Sequence, residues 1–471
     1  MRRTKIVATL GPASSSPGMI DSLIEAGVDV LRLNLAHANA PTHAGLAKLV
    51  RDSARRNERV VSLLVDLPGP KMRTGPVNDG EVRLEPGQTF ELRDDLSEGD
   101  GTSVGTTVPQ ISSLLEAGEE VFLADGQIIL EVIDVQPTTV RTLVVRGGIL
   151  RSGKGMHIPS AEGKLQAFTP RDEEALHQAL AIEADLIGLS FVRRADDVTQ
   201  IRDKIASTGA SPPAIVAKIE TRSAVDNIDD IIRVADAVMV ARGDLGIQLP
   251  FREVPLLQKD IIGACNRSGT PVITATQMLE SMAHSPLPTR AEVNDVANGV
   301  IDGTDAVMLS EETAVGDFPV GAVNVMSEIA IEVETRRRGP AAVTPGSDDP
   351  VSWAIARAAV QASEELRVAA ILCPTRTGAT ARRIAAFRPS MPILALDHKI
   401  ETLRPLALVW GVVPFEVPFL RAEELSVRGL RRALTAANTS GLCRPGERVT
   451  LVAGGSPPRT ASTDLVRILT L

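Results

Sequence analysis

The stretch Ala237-Val-Met-Val-Ala-Arg-Gly-Asp-Leu-Gly246 begins as an apolar run and ends in charged residues. Its apolar part predicts a short strand buried on both faces, as in a parallel sheet. Arg242 and Asp244 follow at the carboxyl end of that strand, on either side of Gly243, which lets a backbone approach a ligand closely. An isolated Arg-Gly-Asp could equally be a solvated surface turn, so its meaning depends on its neighbours.

The preceding stretch, Ala214-Ile-Val-Ala-Lys-Ile-Glu220, has the same plan. Lys218 and Glu220 are two residues apart and therefore point to the same side of a strand. By themselves they could form a simple salt bridge. Two adjacent strand ends, however, would present Glu220 and Asp244 to one cation, with Lys218 beside it. Carboxylate oxygens without His or Cys suit Mg²⁺ or Mn²⁺, so the pattern predicts a divalent-metal site.

Composition excludes several classes of function. The chain has 471 residues, 44% of them apolar, and a net charge of −9, which is not the basic balance of a nucleic-acid-binding protein. Cys265, Cys373 and Cys443 are far apart and odd in number, which argues against a disulfide scaffold and for a reducing compartment. No apolar run reaches the ~20 residues of a membrane-spanning helix. We therefore expect a cytoplasmic protein.

Strand-like and helix-like segments alternate over most of the first 338 residues. Eight strand–helix units favour a (β/α)8 barrel, or TIM barrel, over a doubly wound open sheet, because no Gly-x-Gly-x-x-Gly follows the first strand. The predicted strands cover 5–10, 28–35, 60–67, 185–192, 271–277 and 306–311, with two more that lead into Glu220 and Arg242.

Two further segments break this rhythm. Residues 71–163 alternate short apolar and polar runs with turn residues between them, which predicts an inserted β-barrel lid domain. A charged, Gly- and Pro-rich linker precedes residues 339–471, which predict a C-terminal α/β domain. The catalytic barrel would then comprise residues 1–70 and 164–338.

The carboxyl ends of barrel strands carry the chemistry of this fold. Here they form a rim rich in cations and carboxylates, which suits an anionic, phosphorylated substrate beside a divalent metal. The insert would hang over this rim as a lid that excludes water. The rim residues are Arg32, Asn34, His37, Asp66, Ser190, Arg193, Lys218, Glu220, Arg242, Asp244, Thr274, Thr276, Ser310 and Glu312.

Several longer motifs carry a family resemblance over the whole chain. They are Lys5-Ile-Val-Ala-Thr-Leu-Gly-Pro-Ala13, Leu31-Arg-Leu-Asn34, Lys218-Ile-Glu220, Met239-Val-Ala-Arg-Gly-Asp-Leu-Gly246, Ala275-Thr-Gln-Met-Leu-Glu-Ser-Met282 and Met308-Leu-Ser-Glu-Glu-Thr-Ala314. In this order and spacing they are highly specific, and the chain resembles the pyruvate kinases. The resemblance implies transfer of the phosphoryl group of phosphoenolpyruvate to ADP, which gives pyruvate and ATP in glycolysis.

The resemblance also implies roles for individual residues. Glu220 and Asp244 would hold the divalent metal, and Lys218 would neutralise charge on the transferring phosphoryl group. Arg32 would contact the phosphoryl oxygens. The N–H groups of Gly243 and Asp244 would bind the carboxylate of pyruvate. Thr276, with Ser310 nearby through water, would serve the proton delivered to the enolpyruvate methylene.

Nucleotide-binding residues follow from the same resemblance. Arg73, Lys154 and His37 would lie near the nucleotide phosphates, with Asn34 beside them. Asp125 on the lid would face the same cleft. For His37, a structural hydrogen bond in a loop is an equally good interpretation.

The monovalent-cation region departs from the pattern of many family members. K⁺-dependent members bind the ion with Asn, Ser, Asp and Thr, whereas this chain has Asn34, Ala36, Asp66 and Leu67. Lys71 stands where those members carry Glu, and its ammonium could replace the charge of K⁺. We therefore predict activity without added K⁺; the alternative is that Lys71 is a solvated residue at the lid hinge.

A possible effector site lies in the C-terminal domain. Pro374-Thr-Arg-Thr-Gly-Ala-Thr380 is a loop with hydroxyl groups that leads into a helix, where a phosphate could bind. In the family this position belongs to an allosteric sugar-phosphate site, although a simple helix cap is the alternative. The residues concerned would be Thr375, Arg376, Thr377, Thr380 and Arg459, with a sugar phosphate or a nucleotide as effector.

Two other functions stay open at this stage. One is a metal-dependent lyase or aldolase that acts on pyruvate or phosphoenolpyruvate, against which the insert and Lys218 argue. The other is a catalytically silent metabolite sensor, for which Ala36 and Glu311 (where many members have Gly) are the support. The family resemblance also implies a homotetramer.

Overall fold

The computed structural model describes residues 1–35, 40–108, 110–124, 126–161, 164, 168–209, 211–336, 349–417, 427–454 and 463–471. Within these ranges, eight parallel strands close into a barrel, which confirms the predicted TIM barrel. The barrel strands are β1 (Lys5–Thr9), β2 (Val30–Asn34), β3 (Ser62–Asp66), β13 (Leu186–Leu189), β14 (Ala214–Ile219), β15 (Ala237–Ala241), β16 (Val272–Ala275) and β17 (Ala306–Leu309).

Helices surround this barrel because the strands are apolar on both faces and need cover on the outside. The outer faces of the strands and the inner faces of the helices form one large apolar cluster. The helices are α1 (Pro17–Glu25), α2 (Ala40–Arg56), α3 (Pro170–Ala181), α4 (Ala195–Ser207), α5 (Arg222–Asp226), α6 (Ile228–Val234), α7 (Arg242–Gln248), α8 (Val254–Ser268), α9 (Arg290–Asp302), α10 (Glu311–Ala314) and α11 (Pro319–Arg336).

Nine short strands lie between β3 and β13, which confirms that the insert is a β domain in the described part of the chain. They form a sheet of order β4-β12-β8-β9-β10-β6-β7 and a separate β11-β5 pair. Their bounds are β4 (Met72–Arg73), β5 (Glu81–Leu84), β6 (Thr89–Arg93), β7 (Ser103–Gly105), β8 (Glu120–Leu123), β9 (Ile128–Val135), β10 (Thr139–Arg146), β11 (Gly148–Arg151) and β12 (Gly155–His157).

The C-terminal part is an α/β unit built on a sheet of order β20-β19-β18-β21-β22, whose last pair is antiparallel. Its elements are α12 (Pro350–Leu366), β18 (Ala370–Pro374), α13 (Ala379–Ala386), β19 (Ile393–Asp397), α14 (Ile400–Leu403), β20 (Val412–Glu416), α15 (Val427–Thr439), β21 (Arg448–Ala453) and β22 (Leu465–Thr470).

This C-terminal unit also closes the amino-terminal end of the barrel. Leu408, in the short 3-10 helix Arg404–Leu408, joins the apolar cluster inside the barrel. Arg388, just after α13, reaches Asp305 at the start of β17. The opposite end of the barrel is therefore the one open to a ligand. Among the helices in the described ranges, none has both the length and the apolar character needed to span a bilayer.

Candidate active site

A buried ion network occupies the carboxyl end of the barrel. The ammonium of Lys218 lies 2.8 Å from Oε1 of Glu220 and 3.4 Å from Oδ2 of Asp66. It also donates a 2.8 Å hydrogen bond to Oγ of Ser190, which in turn donates to the carbonyl of Leu67 at 2.8 Å. The predicted pairing of Lys218 with Glu220 on one side of β14 is thus present, and β3 contributes a second carboxylate.

The charges of this network hold Lys218 in its protonated form. Burial by itself would lower the pKa of Lys218, but the carboxylates of Asp66, Glu220 and Asp244 outweigh burial and raise it above its ordinary value. Lys218 therefore acts as a fixed positive charge at neutral pH and not as a general base.

Arg32 lies beside this network at the end of β2. Its Nη2 is 2.5 Å from Oδ2 of Asp66, and its Nη1 donates to Oγ1 of Thr9 at 3.1 Å. Burial raises the pKa of Asp66, but Arg32 and Lys218 outweigh this effect and lower the pKa below its usual value. Arg32 and Lys218 therefore sit on the same carboxylate. Thr9 lies within the motif Lys5–Ala13, but its contact with Arg32 was not predicted.

Glu220 and Asp244 have the donor chemistry that a divalent metal needs. Glu220 is fully buried, and its Oε2 accepts a 2.7 Å hydrogen bond from the N–H of Phe191. Its Oε1 accepts no hydrogen bond in the described part of the chain and is paired only with Lys218. Burial raises the pKa of Glu220; Lys218 opposes the shift and Asp244 adds to it. A cation between the two carboxylates would relieve this repulsion.

The protein itself supplies few metal ligands here. No group of three or more His, Cys, Asp or Glu side chains in the described ranges is arranged to hold an ion. A metal on Glu220 and Asp244 would therefore take its remaining oxygen ligands from substrate and water, as Mg²⁺ commonly does.

A strained loop after β16 carries Thr276. Thr276 and Gln277 have φ angles of 66° and 53°, in the left-handed region that non-glycine residues rarely adopt. Oγ1 of Thr276 accepts a 2.8 Å hydrogen bond from the N–H of Gly243. This contact brings together two residues predicted to bind the same substrate. A Cβ on Gly243 would come no closer than 3.5 Å to Thr276, so no neighbour in the described ranges requires glycine there.

Arg242, which we predicted as a rim residue, instead holds this loop with a buried side chain. It opens helix α7 and is buried, with Nε donating to the carbonyl of Ala275 at 3.2 Å and Nη2 donating to that of Gln277 at 3.2 Å. Asp295 pairs with its Nη1 at 2.6 Å. Thr274 also lies outside the site, because it faces the helix layer and bonds to Thr304. Arg242 and Asp295 are positioning residues that sequence patterns did not reveal.

Ser310 and Glu312 follow β17. Ser310 is half-buried, and its N–H donates to Oε2 of Glu312 at 2.7 Å. Oε1 of Glu312 accepts from the N–H of Leu279 at 3.0 Å. Burial raises the pKa of Glu312. Glu312 therefore fastens the loops after β16 and β17 to each other beneath the site.

A cleft of about 350 Å³ lies between the insert and the barrel rim. Several of the residues predicted to bind nucleotide or metal line it, whereas His37, Asp125 and Ala36 lie outside the described residues. Glu311 and Arg193 also line this cleft. The cleft is lined by Pro70, Lys71, Met72, Arg73, Phe122, Lys154, Gly155, Met156, His157, Ile158, Phe191, Arg193, Thr221, Asp244, Ile247, Gln248 and Glu311.

Comparison with known proteins identifies the family of this chain. The family model described as pyruvate kinase, barrel domain, matches residues 1–323, and the pyruvate kinase alpha/beta-domain model matches residues 353–469. Pyruvate kinase of Geobacillus stearothermophilus is 41% identical over 474 residues, covering 99% of this chain and 80% of its own length. Pyruvate kinase of Thermotoga maritima is 37% identical over 471 residues, covering 100% and 99%. The chain belongs to the pyruvate kinase family.

The residues predicted to form a monovalent-cation region lie on and just after β2 and β3. Asn34 and Asp66 are register partners on these neighbouring strands. Leu67 is buried, and its carbonyl already accepts the hydroxyl of Ser190. Lys71 is exposed at the cleft, and its charge favours the ionised forms of both Asp66 and Glu220, although burial still raises the pKa of Glu220 overall.

The loop predicted to bind an effector lies directly before α13. Thr375 and Thr377 use their hydroxyls to accept the N–H groups of Gly378 and Ala379, at 2.8 Å and 3.4 Å, as a helix cap would. Thr380 shares a 2.6 Å hydrogen bond with Thr463. Arg376 is exposed. Arg459 lies outside the described residues, so the loop is described without its predicted partner.

Proposed function

We propose that this chain transfers the phosphoryl group of phosphoenolpyruvate to ADP. The observation that carries the proposal is the buried Lys218 ammonium, held by Asp66, Glu220 and Ser190 beside a cation-lined cleft. In this reaction the bond from phosphorus to the enol oxygen breaks, and a bond to a terminal oxygen of ADP forms. The enolate then takes a proton at its methylene carbon and becomes pyruvate.

Lys218 and Arg32 supply the positive charge for phosphoryl transfer. Both are anchored to Asp66, so they need little reorganisation when charge develops on the phosphoryl oxygens. The ammonium of Lys218 is a compact point charge, and such a charge can follow the transferring phosphoryl group better than a planar guanidinium can. Glu220 and Asp244 would hold Mg²⁺ or Mn²⁺, which when bound neutralises substrate oxygens and orients the phosphoenolpyruvate.

Gly243, Asp244 and Thr276 bind and protonate the three-carbon fragment in this proposal. The N–H of Gly243, which donates to Oγ1 of Thr276, would donate to the substrate carboxylate and release the Thr276 hydroxyl. A hydroxyl is too weak an acid to supply the proton alone. In this proposal Thr276 and Ser310 therefore hold a water molecule, and the proton reaches the methylene carbon through that water.

The cleft beneath the insert would take the nucleotide. Arg73 and Lys154 approach it from the insert, and their charges complement the phosphates of ADP. His37 and Asn34 are proposed to bind near the same phosphates, and Asp125 to face them. The domain boundaries, 1–70 with 164–338, 71–163 and 339–471, stay predictions, as do the cytoplasmic location and the homotetramer.

The test is pyruvate formation from phosphoenolpyruvate with Mg²⁺, with and without ADP. ADP-dependent turnover that yields ATP supports the kinase. Pyruvate released without ADP would instead support the lyase, and metabolite binding without turnover would support the silent sensor. Omission of Mg²⁺ with a chelator present should abolish turnover, and Mn²⁺ should restore it.

We predict activity without K⁺, because the Lys71 ammonium already acts on Asp66 and Glu220. Turnover in Tris buffer should rise by less than about 10-fold when K⁺ is added at constant ionic strength, that is, by less than about 1.4 kcal/mol in the barrier. Lys71→Glu should create a requirement for K⁺. Lys48→Glu, an exposed lysine on α2, is the matched control. A larger stimulation of the unmodified enzyme would refute the role of Lys71.

We also propose that a sugar phosphate or a nucleotide such as AMP binds the loop of Thr375–Thr380. The exposed Arg376 is the residue best placed to pair with a phosphate, because the hydroxyls of Thr375 and Thr377 are engaged in capping. A ligand that binds should raise the thermal unfolding midpoint of the enzyme. Arg376→Ala should remove that rise. No shift with any sugar phosphate or AMP would leave the loop as a helix cap.

A further inference from the structure

A side-chain hydrogen bond joins the insert directly to the barrel. Nε2 of Gln248 lies 2.8 Å from Nδ1 of His157. His157 is the last residue of strand β12 in the insert, and Gln248 is the last residue of helix α7 on the barrel rim. Both residues line the cleft proposed to hold the nucleotide. The bond therefore spans the two walls of that cleft.

The insert is otherwise built to move as one body. Its buried apolar cluster, in the described ranges, consists of residues between 77 and 161 alone, with Met72, Val82 and Val135 packed against it. The barrel has a separate cluster of its own. Because no apolar side chain of the insert belongs to the described barrel cluster, the position of the insert depends on its hinges and on polar contacts such as this one.

His157 is fixed within the insert and carries the nucleotide-facing cations with it. The residue is 7% exposed, and its ring packs on Phe122 with centroids 5.9 Å apart. Strand β12 pairs with β8 through His157 and Phe122, and with β4 through Gly155 and Arg73. Lys154 directly precedes the strand. The hydrogen bond thus sets the separation of Arg73 and Lys154 from helix α7, which carries Asp244.

We propose that His157 and Gln248 form a latch that holds the cations of the insert over the barrel rim. They are positioning residues for the nucleotide, and this inference rests on the proposed kinase function. The amide of Gln248 can donate through Nε2 to a neutral ring or turn to accept through Oε1 from a protonated one. The latch therefore tolerates either charge state of His157.

Steady-state kinetics on the full-length enzyme test the latch. Gln248→Met and His157→Leu keep the volume of each side chain and remove the hydrogen bond. Each should raise KM for ADP about 5-fold, the effect of losing one hydrogen bond. The KM for phosphoenolpyruvate and kcat should change less than about 2-fold, a split that general loosening of the site would not produce. The double variant should be no worse than either single variant, because both remove the same bond.

His157→Asn is the conservative variant, since its amide places a polar atom near the position of Nδ1. It should retain a KM for ADP close to that of the unmodified enzyme. His177→Leu, an exposed histidine on α3, is the matched control. Unchanged KM for ADP in both single variants, additive effects in the double variant, or an equal rise in KM for phosphoenolpyruvate would each overturn the latch. Turnover by the unmodified enzyme in the same assay separates these outcomes from failure of the kinase proposal.

Discussion

Lys218→Met should lower kcat by about 10²–10³-fold, the usual cost of removing one preorganised electrostatic stabiliser. The ammonium of Lys218 is buried, lies 2.8 Å from Glu220 and is kept charged by three carboxylates. Methionine keeps the length of the side chain and removes the charge. The transferring phosphoryl group would then lie near Asp66 and Glu220 without the Lys218 charge, and Arg32 and the proposed metal would have to supply all the neutralisation. The loss should fall on kcat, because the charge is needed most as the phosphorus–oxygen bond breaks.

Two further variants make the Lys218 result specific. Lys204→Met removes a half-buried lysine that pairs with Glu173 in the helix layer, away from the site, and it should leave kcat within about 2-fold. Lys218→Arg keeps the charge but cannot reproduce a point charge between Ser190 and Glu220, so it should also be strongly impaired. Thermal unfolding of each variant shows whether the fold is retained. A folded Lys218→Met enzyme that keeps more than about a tenth of its kcat would contradict the role.

The fold could be predicted because its determinants are local. Each barrel strand is a short apolar run, each is followed by a helical period, and both patterns are set by near neighbours in sequence. The same holds for Lys218 and Glu220, whose shared side follows from a spacing of two residues. Strand ends were less well predicted: β13 covers Leu186–Leu189, within a predicted strand of 185–192. Where a strand stops depends on barrel pairing, which no local pattern contains.

The parts of the site that could not be predicted depend on distant partners. Arg242 looked like a rim residue, but it is buried because Asp295, 53 positions later, and the loop carbonyls after β16 receive its guanidinium. Thr9 supports Arg32 from a neighbouring strand. Between β14 and β15 the chain forms two helices, α5 and α6, which meet at Asn227, and not the single helix of a regular strand–helix unit. Neither the partners of Arg242 nor those of Thr9 leave a local trace in the sequence.

Arg388→Met should lower the free energy of unfolding by about 3–5 kcal/mol, the usual cost of removing one partner from a buried ion pair. The side chain of Arg388 is only 2% exposed. Its guanidinium donates to both carboxylate oxygens of Asp305, at 2.8 Å and 3.1 Å. It also donates to Oδ1 of Asn266 at 2.8 Å and lies 5.1 Å above the ring of Trp410. Arg388 belongs to the C-terminal unit and Asp305 to the barrel. The variant should therefore weaken the contact between these two units first.

Urea unfolding followed by tryptophan fluorescence measures this effect, because Trp410 contacts Arg388 directly and Trp353 packs in the apolar cluster of the C-terminal unit. In a chain with several apolar cores, each transition must be evaluated separately. Adding Asp305→Asn should recover part of the loss, because it removes the unpaired buried charge, although the amide oxygen can replace only one of the two carboxylate oxygens that accept the N–H groups of Val272 and Trp410. Arg233→Met, which breaks an exposed pair with Asp230, should cost less than about 1 kcal/mol. An equally small effect for Arg388→Met would mean that apolar packing, including Leu408 inside the barrel, is what joins the two units.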